Sequence, residues 1–179
     1  MKKTITIILL ILIFLFIFFL QSNFFNWFTI AGIKPNLFII LVLFIGLFIG
    51  KKIGFIFGIL FGLFIDIVMS QSLGLTSMML GIVGLLGEYF DKSFSKDNKL
   101  TIMLTVAGST LIYEIGMYIL KIIKWNVPIE LLPFLKIVMI EMLYNIILII
   151  LLYPLIRKSG EYLEETFKNK AILTKYFNI

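Results

Sequence analysis

Six apolar runs follow one another along the chain, with only short polar connections between them. Each run reaches or approaches the length of a transmembrane helix, which needs about 20 predominantly apolar residues. The chain is 61% hydrophobic and only 15% charged, whereas a soluble domain carries about 25% charged residues. The sequence therefore predicts an all-α integral membrane protein with six transmembrane helices in a single membrane domain, residues 1–179. The predicted spans are approximately residues 4–20, 35–50, 53–69, 73–90, 100–120 and 134–156, followed by a tail, residues 157–179.

Three of these spans admit a second interpretation. The run from Thr4 to Leu20 follows two lysines, as a signal peptide would, but Gln21-Ser22-Asn23 offers no small-residue cleavage site. Residues 35–69 could form one re-entrant hairpin instead of two spans. Lys51 and Lys52 at its tip argue against the hairpin, because two adjacent ammonium groups inside the bilayer are costly. We expect an uncleaved first span and two full spans over 35–69.

The basic residues orient these spans. With the N-terminus inside, twelve of the sixteen Lys and Arg residues fall on the cytoplasmic side and four fall on the outer side. An excess of Lys and Arg in cytoplasmic loops is the usual determinant of membrane orientation. The net charge of +6 is thereby explained without a nucleic-acid partner. We expect a multi-pass protein of the cell's inner (plasma) membrane, in contact with its lipids and with both termini cytoplasmic.

The residue types that are missing restrict the chemistry. The chain has no histidine and no cysteine, which removes disulfides, thiol nucleophiles, His-based acid–base catalysis and most zinc, copper or iron sites. Asp66 is the one aspartate within a predicted span, whereas an intramembrane aspartyl protease needs two. We therefore expect no enzyme activity, no catalytic residue, no cofactor and no metal ligand.

Small residues recur at helical spacing in the middle of the chain. Gly54, Gly58, Gly62 and Asp66 stand four residues apart, and they form one stripe on the third span. Such stripes let helices approach closely in lipid, where association depends on packing. Two readings stay open, tight packing within the protein and a groove for a partner or a second copy of the chain. The fourth span carries a similar seam, formed by Gly74, Ser77, Gly81, Gly84 and Glu88.

Four strongly polar residues fall within the predicted spans: Asp66, Glu114, Glu141 and Asn145. Polar and ionisable groups inside a membrane are expensive, so a role for them is the default hypothesis. Glu141 and Asn145 share one helix face and are expected to hydrogen-bond to each other or to a neighbour. Asp66 is expected to reach headgroup water or a lysine on the outer side. The open alternatives are a structural or partner-facing polar network, a small-ligand or ion site, and, least favoured, catalysis.

The order of several motifs resembles the family of the rod shape-determining protein MreD. Pro35-Asn36 opens a span, the glycine-stepped third span ends in Asp66, and Leu73-Gly74 opens the next span. Near the C-terminus, Asn145 and Tyr153-Pro154, followed by basic residues, match the closing span of that family. The resemblance covers roughly residues 35–158. Glu114 and Glu141 map onto no family pattern, and their roles rest on the residues alone.

The resemblance implies a non-catalytic scaffold of the bacterial cell-wall elongation (rod) complex. Its expected partners are MreC-type and MreB-type shape proteins and the elongation wall synthases, so that it would couple cytoskeletal filaments to peptidoglycan synthesis. It also implies a compact bundle similar to the substrate-binding components of energy-coupling-factor vitamin transporters. Such a transporter component is itself the alternative function, although the first span lacks the alanine surface that those components use. A lipid flippase or small exporter is a third possibility.

Overall fold

The computed structural model describes residues 2–69, 73–93, 99–126, 128 and 130–168. Regular structure in these ranges is helical, apart from a short 3-10 turn at Phe24–Asn26 and an isolated bridge between Ile30 and Ile33. The helices are α1 (Lys2–Ser22), α2 (Leu37–Ile49), α3 (Lys51–Met69), α4 (Leu75–Ser93), α5 (Lys99–Trp125) and α6 (Leu131–Phe167). The expectation of an all-α fold with six helices is confirmed.

The helices differ in their capacity to cross a membrane. By length and composition, α1, α3, α5 and α6 are long and apolar enough to span one. The predicted spans 35–50 and 73–90 coincide with two shorter apolar segments, Leu37–Ile49, which is the whole of α2, and Leu75–Phe90, which is the apolar part of α4. By these two criteria, four of the six described helices are able to cross a membrane.

The short helix α2 lies at the centre of the bundle. It has 13 residues, all of them apolar, and every one except Leu41 is buried. At about 1.5 Å per residue, it is about 20 Å long. A helix that is apolar all round has no face to turn toward water. Accordingly α2 packs against α1, α3, α4, α5 and α6.

Helix α1 is attached to this centre through aromatic rings. Phe14 stacks on Phe61 of α3 with ring centroids 4.0 Å apart, and it also contacts Phe38 and Phe64. Most of the other large side chains of α1 are exposed at the surface of the bundle. The aromatic contact thus anchors one face of a helix whose remaining surface is apolar.

Several helix boundaries differ from the prediction. Helix α2 begins at Leu37, with Asn36 as its N-cap, so Pro35 stands just before the cap rather than inside the helix. Helix α6 contains Pro154 and runs beyond the approximate end of the predicted span, residue 156, to Phe167. A proline inside a helix removes one backbone hydrogen bond, and this loss is tolerated because the following turns pack on the bundle: Leu163 is buried. Of the predicted tail, residues 169–179 lie outside the described residues.

Candidate functional site: buried helix ends and a carboxyl pair

The glycine stripe of α3 lies against the backbone of α4. A Cβ atom added to Gly58 would overlap the carbonyl oxygen of Leu80, and one added to Gly62 would overlap the backbone of Ser77. At Gly54, an added Cβ would stand 2.6 Å from the carbonyl oxygen of Gly84. Only glycine permits this closeness, since any side chain would force the two backbones apart. The stripe therefore forms a backbone-to-backbone contact within the protein.

The glycines of α4 do not all share this role. Gly84 faces the backbone of Gly54, whereas Gly81 faces the side chains of Phe55 and Ile59. Gly74, which the sequence analysis grouped with them, has open space where a Cβ would stand. Its φ of +96° places it in a backbone region that L side chains rarely adopt. Gly74 is a turn residue immediately before α4, not a packing residue.

Asp66 caps the N-terminus of α4 from the neighbouring helix α3. Its Oδ2 accepts hydrogen bonds from the backbone N–H groups of Gly74, at 2.9 Å, and Ser77, at 3.2 Å. Its Oδ1 accepts a third from the N–H of Thr76, at 3.3 Å. The carboxylate is fully buried (0% exposed), and it meets the positive end of the α4 dipole. The partners of Asp66 are thus backbone amides rather than a lysine, and Lys34 instead donates to Asn26 and Gln21.

Asn145 performs a related task at the N-terminus of α2. Its Oδ1 accepts a hydrogen bond from the backbone N–H of Asn36, at 2.9 Å, and its Nδ2 donates to Thr110 Oγ1 of α5, at 3.0 Å. Gln21 at the end of α1 bonds to both sides of the same cap: it donates to the carbonyl of Pro35 and accepts from the N–H of Leu37. Asn145 and Thr110 are fully buried. One amide side chain therefore connects α2, α5 and α6.

Glu141 does not share the hydrogen bonds of Asn145. It stands one turn earlier on α6, beside Glu114 of α5 and the side chain of Asn36. Its Oε1 is buried and has no hydrogen-bond partner. We call Glu114 and Glu141 the carboxyl pair. Two buried carboxyl groups therefore differ in their hydrogen bonding. Both oxygens of Asp66 accept hydrogen bonds, whereas Oε1 of Glu141 accepts none.

The opposite end of α2 is held by charged residues. The backbone N–H of Lys51, which begins α3, donates to Glu88 Oε2 of α4 at 2.7 Å. Lys168, just after α6, donates to the carbonyl oxygen of Leu47 at 3.3 Å and pairs with Glu164. An acid at a helix N-terminus and a cation at a helix C-terminus both oppose the helix dipole. The turn between α2 and α3 is therefore fastened by α4 and by the C-terminal part of α6.

The remaining motif residues lie on α6. Tyr153 is buried, and Lys99 Nζ of α5 stands 5.1 Å from the centre of its ring. Pro154 is exposed and lies within the helix. These two residues are remote from Asp66 and do not join the polar groups at the buried N-termini.

Sequence reasoning missed four residues that complete this arrangement: Gln21, Thr110, Glu88 as a cap, and Lys168. Gln21 could have been predicted from the sequence, since it is a polar residue at the end of an apolar run shortly before a helix cap. The other three residues could not have been predicted, because their partners depend on how the helices pack against one another.

The chemistry open to these groups is narrow. The described residues include no group of three or more Asp and Glu side chains suited to holding a metal ion. Asp66 and Asn145 are committed to backbone amides and to Thr110. The arrangement serves to fix helix ends, and the carboxyl pair stands apart from that task.

Comparison with known proteins adds one finding. A family model described as the rod shape-determining protein MreD matches residues 1–161 of the 179-residue chain. No curated protein and no solved structure matches the chain.

Proposed function

The chain belongs to the MreD family of rod shape-determining membrane proteins, and from that premise we propose that it is a non-catalytic scaffold of the cell-wall elongation complex. The family match over residues 1–161 is the observation that carries the proposal. The scaffold maintains cell shape by coupling cytoskeletal filaments to peptidoglycan synthesis in the plasma membrane. Its partners are MreC-type and MreB-type shape proteins and the elongation wall synthases.

The packing of the bundle suits such a role. Asp66 and Asn145 bind groups inside the protein, which leaves mainly apolar side chains on the outer faces of α1, α5 and α6. In lipid, helices associate through close packing rather than through hydrophobicity. We propose that partners contact these outer faces, while Gly54, Gly58 and Gly62 keep α3 and α4 together inside.

The orientation is a further part of the proposal. Lys2, Lys3, Lys51, Lys52 and Arg157 belong to one end of the bundle, where Lys3 lies over the ring of Phe167 and Lys168 reaches Leu47. The excess of basic residues favours this end as the cytoplasmic one. Both termini then face the cytoplasm and the shape-determining filaments, and the caps of α2 and α4 face outward. All six helices cross or enter the membrane in this arrangement.

Depletion of the protein in a rod-shaped host tests the function. We expect cells to widen and round up as the protein is lost, because the wall synthases are no longer confined to elongation. Cell width is measured by microscopy, with the wild-type chain supplied in trans as the control. Growth at limiting vitamin concentrations is followed in the same strain, where a scaffold predicts no change. Rods of constant width in a strain without a second copy of the protein would contradict the proposal.

A further inference from the structure

The carboxyl pair holds an oxygen atom that the protein leaves without a partner. Glu141 is 7% exposed, and its Oε1 is buried without a hydrogen bond. Ser109 Oγ has the same status among the described side chains, but a neutral hydroxyl costs far less to bury than a carboxylate. Buried polar atoms in folded proteins nearly always have a partner, so the free oxygen of Glu141 is a position where a further group can bind.

The surroundings of Glu141 come from three helices and are rich in oxygen. Helix α5 contributes Glu114 and the hydroxyl of Tyr113. The Oδ1 of Asn36 accepts from the N–H of Ile39, so Asn36 presents its amide N–H group to Glu141. Thr76, in the first turn of α4, lies beside the same tyrosine. Hydroxyl and carboxylate oxygens are among the ligands preferred by hard cations such as the alkali and alkaline-earth ions.

The charges of the surrounding residues indicate the charge of the ion that would bind to Glu141. Cation binding requires both carboxyls to be ionised; the pair then carries two negative charges, and Lys121, whose charge acts on both of them, supplies one positive charge. One positive charge then remains to be supplied. A monovalent cation neutralises the site, whereas a divalent ion would leave a net positive charge inside the bilayer, where uncompensated charge is expensive.

We propose that Glu114 and Glu141 bind one alkali-metal cation between α5 and α6. A cation held by both carboxylates uses the lone pairs of Glu141 Oε1. The proposal goes beyond the scaffold function and does not depend on it. Its consequence is that the contact between α5 and α6, beside the cap of α2, depends on the cation composition outside the bundle.

The test uses the full chain in lipid nanodiscs, with sodium chloride compared against potassium, lithium and N-methylglucamine chloride at equal ionic strength. Because a ligand that binds only the folded state stabilises it in proportion to the logarithm of its concentration, the unfolding temperature is expected to rise with sodium concentration and not with N-methylglucamine. Radioactive sodium is expected to bind the wild-type protein above the level of empty nanodiscs. Protons compete for the same oxygens, so the sodium effect is expected to disappear in acid.

Two variants locate the effect. In Glu141→Gln the site loses one charge, and the unfolding temperature is expected to be equal in all four salts, with sodium binding reduced to the level of empty nanodiscs. Glu114→Gln is expected to give the same result and takes its place if the first variant does not fold. Glu130→Gln, an exposed acid, is the matched control and is expected to keep the wild-type response. Equal unfolding temperatures of the wild-type protein in all salts, or stabilisation by acid without sodium binding, would overturn the proposal.

Discussion

Asp66 illustrates how a buried charge is accommodated in an apolar bundle. The carboxylate is fully enclosed, yet three backbone N–H groups at the start of α4 point at it. These amides have no partner within their own helix, because the first four N–H groups of any helix lack one. Asp66 therefore satisfies donors that would otherwise be buried and unpaired.

Substitutions of Asp66 are expected to separate hydrogen bonding from charge. Asp66→Asn keeps one oxygen for Gly74 and Ser77 but turns an amide group toward Thr76, so we expect a loss smaller than that of Asp66→Leu. Asp66→Leu leaves all three amides unpaired, and each buried unpaired donor costs about 1–3 kcal/mol. Unfolding of the purified protein by detergent titration measures both, with Glu130→Gln as the exposed control. Equal stability of Asp66→Leu and the wild type would show that the cap contributes nothing.

At the scale of the element, the contact between α3 and α4 depends on the absence of side chains. Gly58→Ala is expected to be strongly destabilising, because its Cβ would overlap the backbone at Leu80, which cannot rotate away. Gly108→Ala on α5 is the matched control, since its Cβ would lie 3.8 Å from the nearest atom, Phe90 Cζ. Alanine favours a helix over glycine by about 1 kcal/mol, so the control is expected to be neutral or stabilising.

The amount of folded protein and its thermal stability distinguish the two alanine variants. Partner binding is measured on whichever variants fold. A Gly58→Ala protein that folds as well as the Gly108→Ala control would contradict the close contact between α3 and α4.

The positions of the helices could be predicted from the sequence, whereas their ends could be predicted only in part. Apolar runs determine where helices lie because each run must leave water as a unit. Helix α2 begins two residues after the approximate start of the predicted span, since Pro35 is an equally good residue just outside a helix. Helix α6 extends past the predicted span, and the burial of Leu163 in its last turns is a tertiary contact that the local sequence does not show.

The candidate site was less accessible to sequence reasoning. The polar residues Asp66, Glu114, Glu141 and Asn145 could be found, because such residues stand out in an apolar run. Their partners could not, since the N–H groups of Gly74 and Asn36 are present in every sequence and become a site only when two helix ends are enclosed. Whether Asp66 meets a lysine or a helix end is decided by the fold of the whole bundle.

At the scale of the whole molecule, the orientation can be tested directly, because the chain contains no cysteine. Single cysteines at Trp27 and Glu130 are expected to react with a membrane-impermeant maleimide in intact cells. Cysteines at Lys52 and Ser159 are expected to react only after the cells are opened. All four positions are exposed in the bundle, so a difference in labelling reports the side of the membrane. Labelling of Ser159→Cys in intact cells would place the C-terminal part of α6 outside and overturn the proposed orientation.

The cap of α2 also bears on how the protein is made. The Asn36 N–H and its acceptor Asn145 are 109 positions apart, so the ribosome completes the central helix long before its last partner is synthesised. Until α6 arrives, the start of α2 lacks this cap and the helix lacks part of its enclosure. A chain terminated after α5 therefore presents an incomplete centre to the insertion machinery, and membrane quality-control proteases should remove it. Final assembly of this bundle waits for the synthesis of α6.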